Sequence, residues 1–143
     1  MVVSYWLCVT DEVNWRVVKN RRVWGVSDRY SAVMERVDVG DLLVFYVKPK
    51  RICGVFVAAS KPYTSTERVF KSAGPSGREV YPHRVRLKSL VVPEECISFE
   101  SLIQKLKFIK NKKRWTGHIR RAMIRIPEEA FKLIKEELIK KLS

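Results

Sequence analysis

A chain of 143 residues with 46% hydrophobic and 31% charged residues has the size and composition of one soluble domain, which excludes a disordered protein. The formal net charge of +14 at pH 7 favours a polyanionic partner such as RNA, DNA or an acidic membrane surface. No apolar run approaches the ~20 residues that span a bilayer, and the start of the chain has no signal-peptide pattern, so we expect a cytoplasmic protein without membrane contact.

Hydrophobic periodicity and helix-capping residues predict an alternation of strands and helices. In chain order, the predicted elements are a strand at 2–9, a helix at 11–20, a short helix ending near 36, a hairpin of strands at 42–47 and 52–59, a strand at 81–92, a short helix at 99–106, a strand at 122–126 and a helix from 127 whose apolar stripe is Phe131, Ile134, Leu138 and Leu142. The segment 23–27 is too short and too interrupted by glycine for a regular helix or a long strand. Five or six strands with helices between them predict a small mixed sheet that can close into a barrel.

The sequence offers little evidence for catalysis, metal binding or a cofactor. Cys8, Cys53 and Cys96 are widely spaced and form no CxxC or Cys/His pattern, so we predict buried free thiols rather than a disulfide or a metal site. His83 and His118 are not part of a recognised nucleophile motif, and no P-loop or GxGxxG occurs. We therefore predict no catalytic residues, no metal and no cofactor, although a site assembled from distant residues stays possible.

The segment 105–121 (KLKFIKNKKRWTGHIRR) concentrates cations without an acid and interleaves them with Phe108 and Trp115. Cations that neutralise phosphates, set beside rings on which bases stack, are typical of single-stranded nucleic-acid binding. A solvated cationic face with core rings is the plainer interpretation. The predicted phosphate-binding residues are Arg29, Lys110, Asn111, Lys112, Lys113, Arg114, Arg120 and Arg121.

The tetrapeptide Trp24-Gly25-Val26-Ser27 is the sharpest candidate for contact with a base. A ring followed by glycine leaves backbone groups uncovered, and Ser27 adds a hydroxyl, so the segment can hold a flipped base by stacking and hydrogen bonds. The alternative is a core tryptophan followed by a glycine that serves a turn.

Several segments in the same order give a resemblance to a known family. With Asn14-Trp15, WGVS at 24–27, VGD before LVFYV, GVFVAAS, and FIKNKKRWTGH followed by IRRAMIRIPEE, the sequence resembles an EVE domain. The resemblance implies an α+β fold over residues 1–143 as a single domain, a PUA-like mixed β pseudo-barrel of five to six strands with flanking helices, related to YTH and ASCH domains. It also implies a pocket for a modified base.

The resemblance places Trp24 like one wall of the aromatic cage of YTH domains, and Thr10, Asp11 and Asn14 near the base edge. The resemblance implies a further wall from the loop with Tyr63 and Phe70. This loop lacks the tryptophan typical of YTH, so the adenine preference is not carried over. Other EVE-like proteins are associated with modified cytosines in DNA, so both nucleic acids stay open. The predicted base pocket consists of Thr10, Asn14, Trp15, Trp24, Gly25, Val26, Ser27, Tyr63, Trp115, Gly117 and His118.

These observations lead to the hypothesis of a non-catalytic reader of modified RNA or DNA. Phosphate contacts would supply affinity, and the pocket would supply selectivity. The alternatives are an enzyme acting on nucleotides, as some ASCH relatives suggest, and a general RNA-binding accessory domain without a base pocket. The sequence leaves open the modification, the choice between RNA and DNA, and the oligomeric state.

Overall fold

A computed structural model describes residues 2–71, 80–107 and 121–142. The elements in these ranges are β1 (Tyr5–Thr10), α1 (Glu12–Arg21), β2 (Val23–Val26), a 3₁₀ turn (Asp28–Tyr30), α2 (Ser31–Met34), β3 (Leu42–Val47), β4 (Arg51–Ala58), β5 (Tyr63–Thr64), β6 (His83–Val91), β7 (Ile97–Ser98), α3 (Phe99–Leu102), a second 3₁₀ turn (Ile103–Lys105), β8 (Met123–Ile126) and α4 (Glu128–Ile139). The predicted hairpin and the predicted mixed sheet are confirmed.

The sheet is mixed and runs in the order β2-β6-β4-β3-β1-β8. β1 lies parallel to β3, whereas β3–β4, β4–β6, β2–β6 and β1–β8 are antiparallel. The two-residue strands β5 and β7 join the sides of β6 and β4. Strands β2 and β5 therefore flank the start of β6, which sets the geometry of the site described below.

The central strands are buried on both faces, which explains why their sequences read as continuous apolar runs. Leu7 and Val9 of β1 belong to a core shared with α3 and α4, whereas the alternating neighbours Trp6 and Cys8 face a second core under α1 and α2. Side chains of β3 and β4 divide between the two cores in the same way.

Asp41 organises the turn that leads into β3. Its buried carboxylate accepts hydrogen bonds from the main-chain N–H groups of Ser4 and Asp38 at 3.0 and 2.9 Å and from Trp6 Nε1 at 3.0 Å. A buried carboxylate is tolerated because several donors satisfy it. This aspartate therefore has a structural role.

Several details of the sequence prediction are wrong. Cys53 and Cys96 form a disulfide, with their Cα atoms 4.3 Å apart, so only the prediction for Cys8, which is free and buried, holds. The fold, not the local sequence, brings β4 beside the segment before β7. Leu142 is 53% exposed and lies beyond the end of α4, so it does not continue the apolar stripe.

The second predicted helix also departs from its predicted form, since it is a 3₁₀ turn followed by a single α-helical turn. Residues 23–26 form a short strand, which agrees with the prediction of neither a regular helix nor a long strand. Pairing with β6 gives the short apolar segment the hydrogen bonds that local sequence alone does not supply. Within the described ranges, no helix is long and apolar enough to cross a bilayer.

Candidate nucleic-acid interface

A cavity of about 230 Å³ lies where the end of β1, the start of α1 and the strand β2 meet. Polar and aromatic side chains contribute most of its wall. The lining residues are Val9, Thr10, Asp11, Asn14, Trp24, Gly25, Ser27, Tyr30, Lys48, Phe70, Tyr81 and Ala122.

The polar side of the cavity is built around the junction of β1 and α1. Asp11 caps α1 by accepting a hydrogen bond from the Asn14 main-chain N–H at 2.8 Å, which also suits the positive end of the helix dipole. The Lys48 N–H donates to the Thr10 carbonyl at 2.9 Å, because the parallel pairing of β1 with β3 sets residue 10 beside the end of β3. The Thr10 hydroxyl has no hydrogen-bond partner within 2–71, 80–107 and 121–142.

Asn14 fastens the loop that covers one side of the cavity. Its side-chain Oδ1 accepts from the Lys71 N–H at 2.7 Å, and its Nδ2 donates to the Lys71 carbonyl at 2.9 Å. The side chain therefore forms a pair of hydrogen bonds with the main chain beside Phe70, as a neighbouring β-strand would. Because each functional group of this amide makes one hydrogen bond to Lys71, Asn14 positions the wall and keeps one N–H and one lone pair for other partners.

Four aromatic residues, Trp24, Tyr30, Phe70 and Tyr81, contribute to the cavity wall. Trp24 is only 4% exposed and packs edge-on against Phe45 with ring centroids 5.3 Å apart, so a small part of its indole reaches the cavity surface. Its buried Nε1 has no hydrogen-bond partner in the described part of the chain. Trp24 is thus both a core residue and a wall residue.

Arg84 holds the wall formed by Phe70 and Tyr81. The residue is 2% exposed, and its guanidinium donates to the carbonyls of Tyr81 (3.0 Å), Val80 (2.9 Å) and Glu67. It also stacks over the Phe70 ring at 5.4 Å from the centroid. Burial lowers the pKa of Arg84 from its ordinary value, because desolvation penalises the charged form.

Because Gly25 has no side chain, the wall formed by Phe70 and Tyr81 can pack directly against β2. A Cβ atom at position 25 would lie 2.8 Å from Phe70 Cε2, 2.8 Å from the Tyr81 carbonyl oxygen and 3.2 Å from Arg84 Cγ. A glycine is therefore required here for close approach between β2 and the loop.

Four cations lie at or near the cavity. Lys48 lines the cavity, Lys71 and Arg121 adjoin the lining residues Phe70 and Ala122, and Arg29 stacks over Tyr30 at 5.6 Å. These four exposed side chains have no ion-pair partner among the described residues, whereas some cations on α1 and α4 pair with glutamates, as Arg16 does with Glu12 and Lys132 with Glu128. Within the described part of the chain, nothing pairs with these charges, which leaves them available there to an anionic partner.

Comparison with known proteins identifies the family. The EVE domain model matches residues 4–137. The chain belongs to the EVE family. It is similar to the UPF0310 protein PYRAB08750 of Pyrococcus abyssi, with 46% identity over 95% of this chain and 100% of the relative.

Solved structures of YTH domains share the fold of this EVE domain. The Pho92 YTH domain in complex with m6A superimposes with a TM-score of 0.69 at 12% identity, covering 95% of this chain and 86% of that one. The YTH domain of the Zygosaccharomyces rouxii MRB1 protein in complex with N6-methyladenosine RNA gives a TM-score of 0.61 at 20% identity, covering 96% and 90%. The predicted PUA-like α+β fold is thereby confirmed.

The structure gathers part of the predicted base pocket of this EVE domain. Thr10, Asn14, Trp24, Gly25 and Ser27 all line the cavity. The predicted residues Trp115, Gly117 and His118 lie outside the described residues. The same holds for the predicted phosphate-binding residues Lys110, Asn111, Lys112, Lys113, Arg114 and Arg120, whereas Arg29 and Arg121 lie near the cavity.

Three predicted pocket residues lie elsewhere. Trp15 packs in the core, 5.5 and 5.9 Å from the rings of Phe45 and Phe56, because α1 turns this position toward the sheet. Val26 is fully buried in β2. Tyr63 lies in a separate groove beside β6.

Sequence reasoning missed Tyr30, Lys48 and Tyr81 as cavity residues and assigned Phe70 only to a possible wall. Tyr30 lies in the 3₁₀ turn directly after WGVS, where its N–H donates to the Ser27 carbonyl, whereas tertiary pairing brings Lys48, Phe70 and Tyr81 to that segment. The one available signal is the aromatic content of the segments on either side of β2 and β6. Among the described residues, no cluster of His, Cys, Asp or Glu has a geometry suited to a metal ion.

Proposed function

We propose that this EVE domain is a non-catalytic reader that binds single-stranded nucleic acid, RNA in the first instance, and holds one modified base in the cavity. The observation that carries the proposal is an aromatic cavity bordered by the cations Arg29, Lys48, Lys71 and Arg121, which have no ion-pair partner within the described ranges. Rings beside unpaired cations are the combination that single-stranded binding needs.

The size of the cavity favours a single base. Its volume of about 230 Å³ is below the ~300–1,000 Å³ of pockets for drug-sized ligands. A flipped base can be held there by rings and by hydrogen bonds to its edge. The hydroxyls of Thr10, Ser27 and Tyr30 and the carboxylate of Asp11 are the groups proposed to bind that edge.

The fold comparison supports RNA as the partner to test first. The MRB1 YTH domain, which shares this fold, was solved in complex with N6-methyladenosine RNA. Identity of 20% supports the architecture and leaves the choice of base to experiment. The whole chain, 1–143, is proposed to form one such domain.

The test compares modified and plain oligonucleotides of the same sequence. We would titrate short RNA strands containing one N6-methyladenosine or one 5-methylcytosine, their unmodified counterparts and the matching DNA strands, at several salt concentrations. A reader binds one modified strand several-fold more tightly than its plain counterpart. Mass spectrometry of the recovered strand should show it chemically unchanged, since the proposal excludes turnover.

Two variants separate the pocket from the phosphate contacts. Thr10→Val keeps the shape of the side chain and the backbone bond to Lys48, so it should reduce only the preference for the modified base. Lys48→Gln should weaken all strands equally and lower the slope of log K against log salt by about 0.7. Lys132→Gln on α4 is the control, because that lysine pairs with Glu128 away from the cavity. Equal affinity of the unaltered protein for every modified and plain pair would refute the reader and leave a general RNA-binding domain.

A further inference from the structure

A second, smaller groove of about 140 Å³ lies on the outer face of the sheet formed by β2, β6 and β5. Arg21, Tyr63 and Arg86 line it, and Arg84 forms part of its wall. Nothing described above assigns a role to this groove.

Strand register explains why the groove is basic. Arg84 pairs with Gly25 of β2 and with Tyr63 of β5, and Arg86 pairs with Val23. Because side chains alternate along a strand, Arg84, Arg86 and Lys88 share the outer face, while their neighbours Val85 and Leu87 are buried in the core. Arg84 is covered by the loop, whereas Arg86 and Lys88 are exposed.

The cations of the groove are only weakly neutralised. Arg86 stacks over the Tyr63 ring at 5.4 Å and has no ion-pair partner among the described residues. Arg21 meets Glu67 at 3.4 Å, but their side chains are 58% and 67% exposed, so solvent screens this pair. Among the described residues, Glu67 is the one acid that lines the groove.

The groove and the cavity share a wall. Phe70 lines the cavity, Arg84 lines the groove, and the two side chains stack on each other at 5.4 Å. Along β6, the exposed Arg86 lies two residues, or about 6.7 Å, beyond Arg84. A strand that places a base in the cavity can therefore cross the Phe70–Arg84 stack and reach Arg86 with the adjoining part of its backbone.

We propose that this groove is a second subsite, which binds a phosphodiester next to the nucleotide whose base occupies the cavity. The inference rests on the nucleic-acid binding proposed above and adds residues to it. Arg86, oriented by Tyr63, and Arg21, released from Glu67, donate paired hydrogen bonds to the phosphate oxygens. The groove adds affinity and strand direction and carries no base selectivity.

The test uses short RNA strands with and without the modified base, and the variants Arg86→Gln, Arg86→Lys and Glu67→Gln. Loss of one phosphate contact in Arg86→Gln should lower the salt slope by about 0.7, which is about fivefold in affinity at 0.1 M salt. The ratio of affinities for modified and plain strands should not change. Arg86→Lys should recover most of the slope, because the charge remains.

Glu67→Gln should change the affinity for RNA in the opposite direction. It removes the competing acid and keeps the main-chain carbonyl that binds Arg84, so it should strengthen binding of both strands. Lys132→Gln again serves as the control. If Glu67 had only a structural role, its replacement would not improve binding. This variant therefore tests the phosphate subsite in the groove even if Arg86→Gln folds poorly.

The outcomes separate the two proposals. An unchanged salt slope in Arg86→Gln together with unchanged affinity in Glu67→Gln would refute the phosphate subsite in the groove. In that case, a persisting preference for the modified strand would still support the reader function. The absence of any such preference, combined with the predicted slope change, would retain the groove as a phosphate site and refute the reader.

Discussion

Substitution of Gly25 by alanine tests the wall of the cavity directly. The new Cβ would lie 2.8 Å from the Phe70 ring and from the Tyr81 carbonyl, against the 3.4 Å at which ordinary van der Waals contact begins. The ring can rotate only within the limits set by Arg84, and the carbonyl belongs to the backbone. The loop must therefore move outward by about 0.6 Å, and overpacking of this kind costs about 1–3 kcal/mol.

The consequence for ligand binding should exceed that of a general loss of stability. The shift displaces Phe70 and Tyr81, which line the cavity, so we expect affinity for the preferred modified strand to fall about tenfold, equivalent to about 1.4 kcal/mol. Thermal unfolding should show a decrease of about 2–4 °C per kcal/mol of destabilisation. Both quantities are measured on the same preparation, by calorimetry and by fluorescence anisotropy.

Gly54→Ala is the matched control. Its Cβ would meet Trp15 Cη2 at 3.0 Å and the Val91 carbonyl at 3.3 Å, so it also crowds a strand, but not at a residue that lines the cavity. Neither glycine has a positive φ, so steric crowding is what the two variants compare. If Gly54→Ala weakens ligand binding as much as Gly25→Ala does at equal loss of stability, the assignment of the wall is wrong.

Three further changes test the supports of the fold. Asn14→Ala removes both hydrogen bonds to the Lys71 main chain and should cost about 1–3 kcal/mol in denaturant unfolding. Reduction of the Cys53–Cys96 disulfide, which closes a 43-residue separation, should lower the unfolding free energy by about 4 kcal/mol on the chain-entropy estimate. Burial raises the pKa of Cys8 well above 9.0, so the unfolded thiol ionises first and stability should fall by up to about 1.4 kcal/mol per pH unit above pH 9.

Each of these changes has a specific comparison. Asn20→Ala alters an exposed asparagine of the same helix and should leave stability unchanged. A double Cys53→Ala, Cys96→Ala variant should not respond to reductant, and an equal response in it would contradict the disulfide. Cys8→Ala should remove the contribution of this thiol to the pH slope above pH 9, and an unaltered slope would contradict the prediction.

The sequence was sufficient for elements whose signals are local. The hairpin of β3 and β4 follows from two apolar runs around Pro49, and the start of α1 follows from the capping side chain of Asp11. The alternation of Val85 and Leu87 with basic residues predicted the strand β6. The groove on its basic face did not follow from this pattern, because β5 and the loop form the other walls.

Features that depend on tertiary pairing could not be predicted from local sequence signals. Lys48 lines the cavity because the parallel strands β1 and β3 bring it beside Thr10. No sequence motif indicates that these two residues are neighbours. The disulfide has the same origin, since residues 53 and 96 are distant in the chain and are brought together by β4 and the segment before β7. Burial alone suits a free thiol and a disulfide equally well, so residue type did not discriminate between them.

The outcome for Asn14 shows why the residue type at a site does not settle its role. An asparagine beside a base pocket suggests readout of the base edge, yet both groups of this amide are engaged by Lys71. In the proposed reader, edge recognition then rests mainly on the hydroxyls of Thr10, Ser27 and Tyr30, which can donate or accept, and on the carboxylate of Asp11, which only accepts. Of these four side chains, the carboxylate is therefore the one able to distinguish a base edge that presents a donor from one that presents an acceptor.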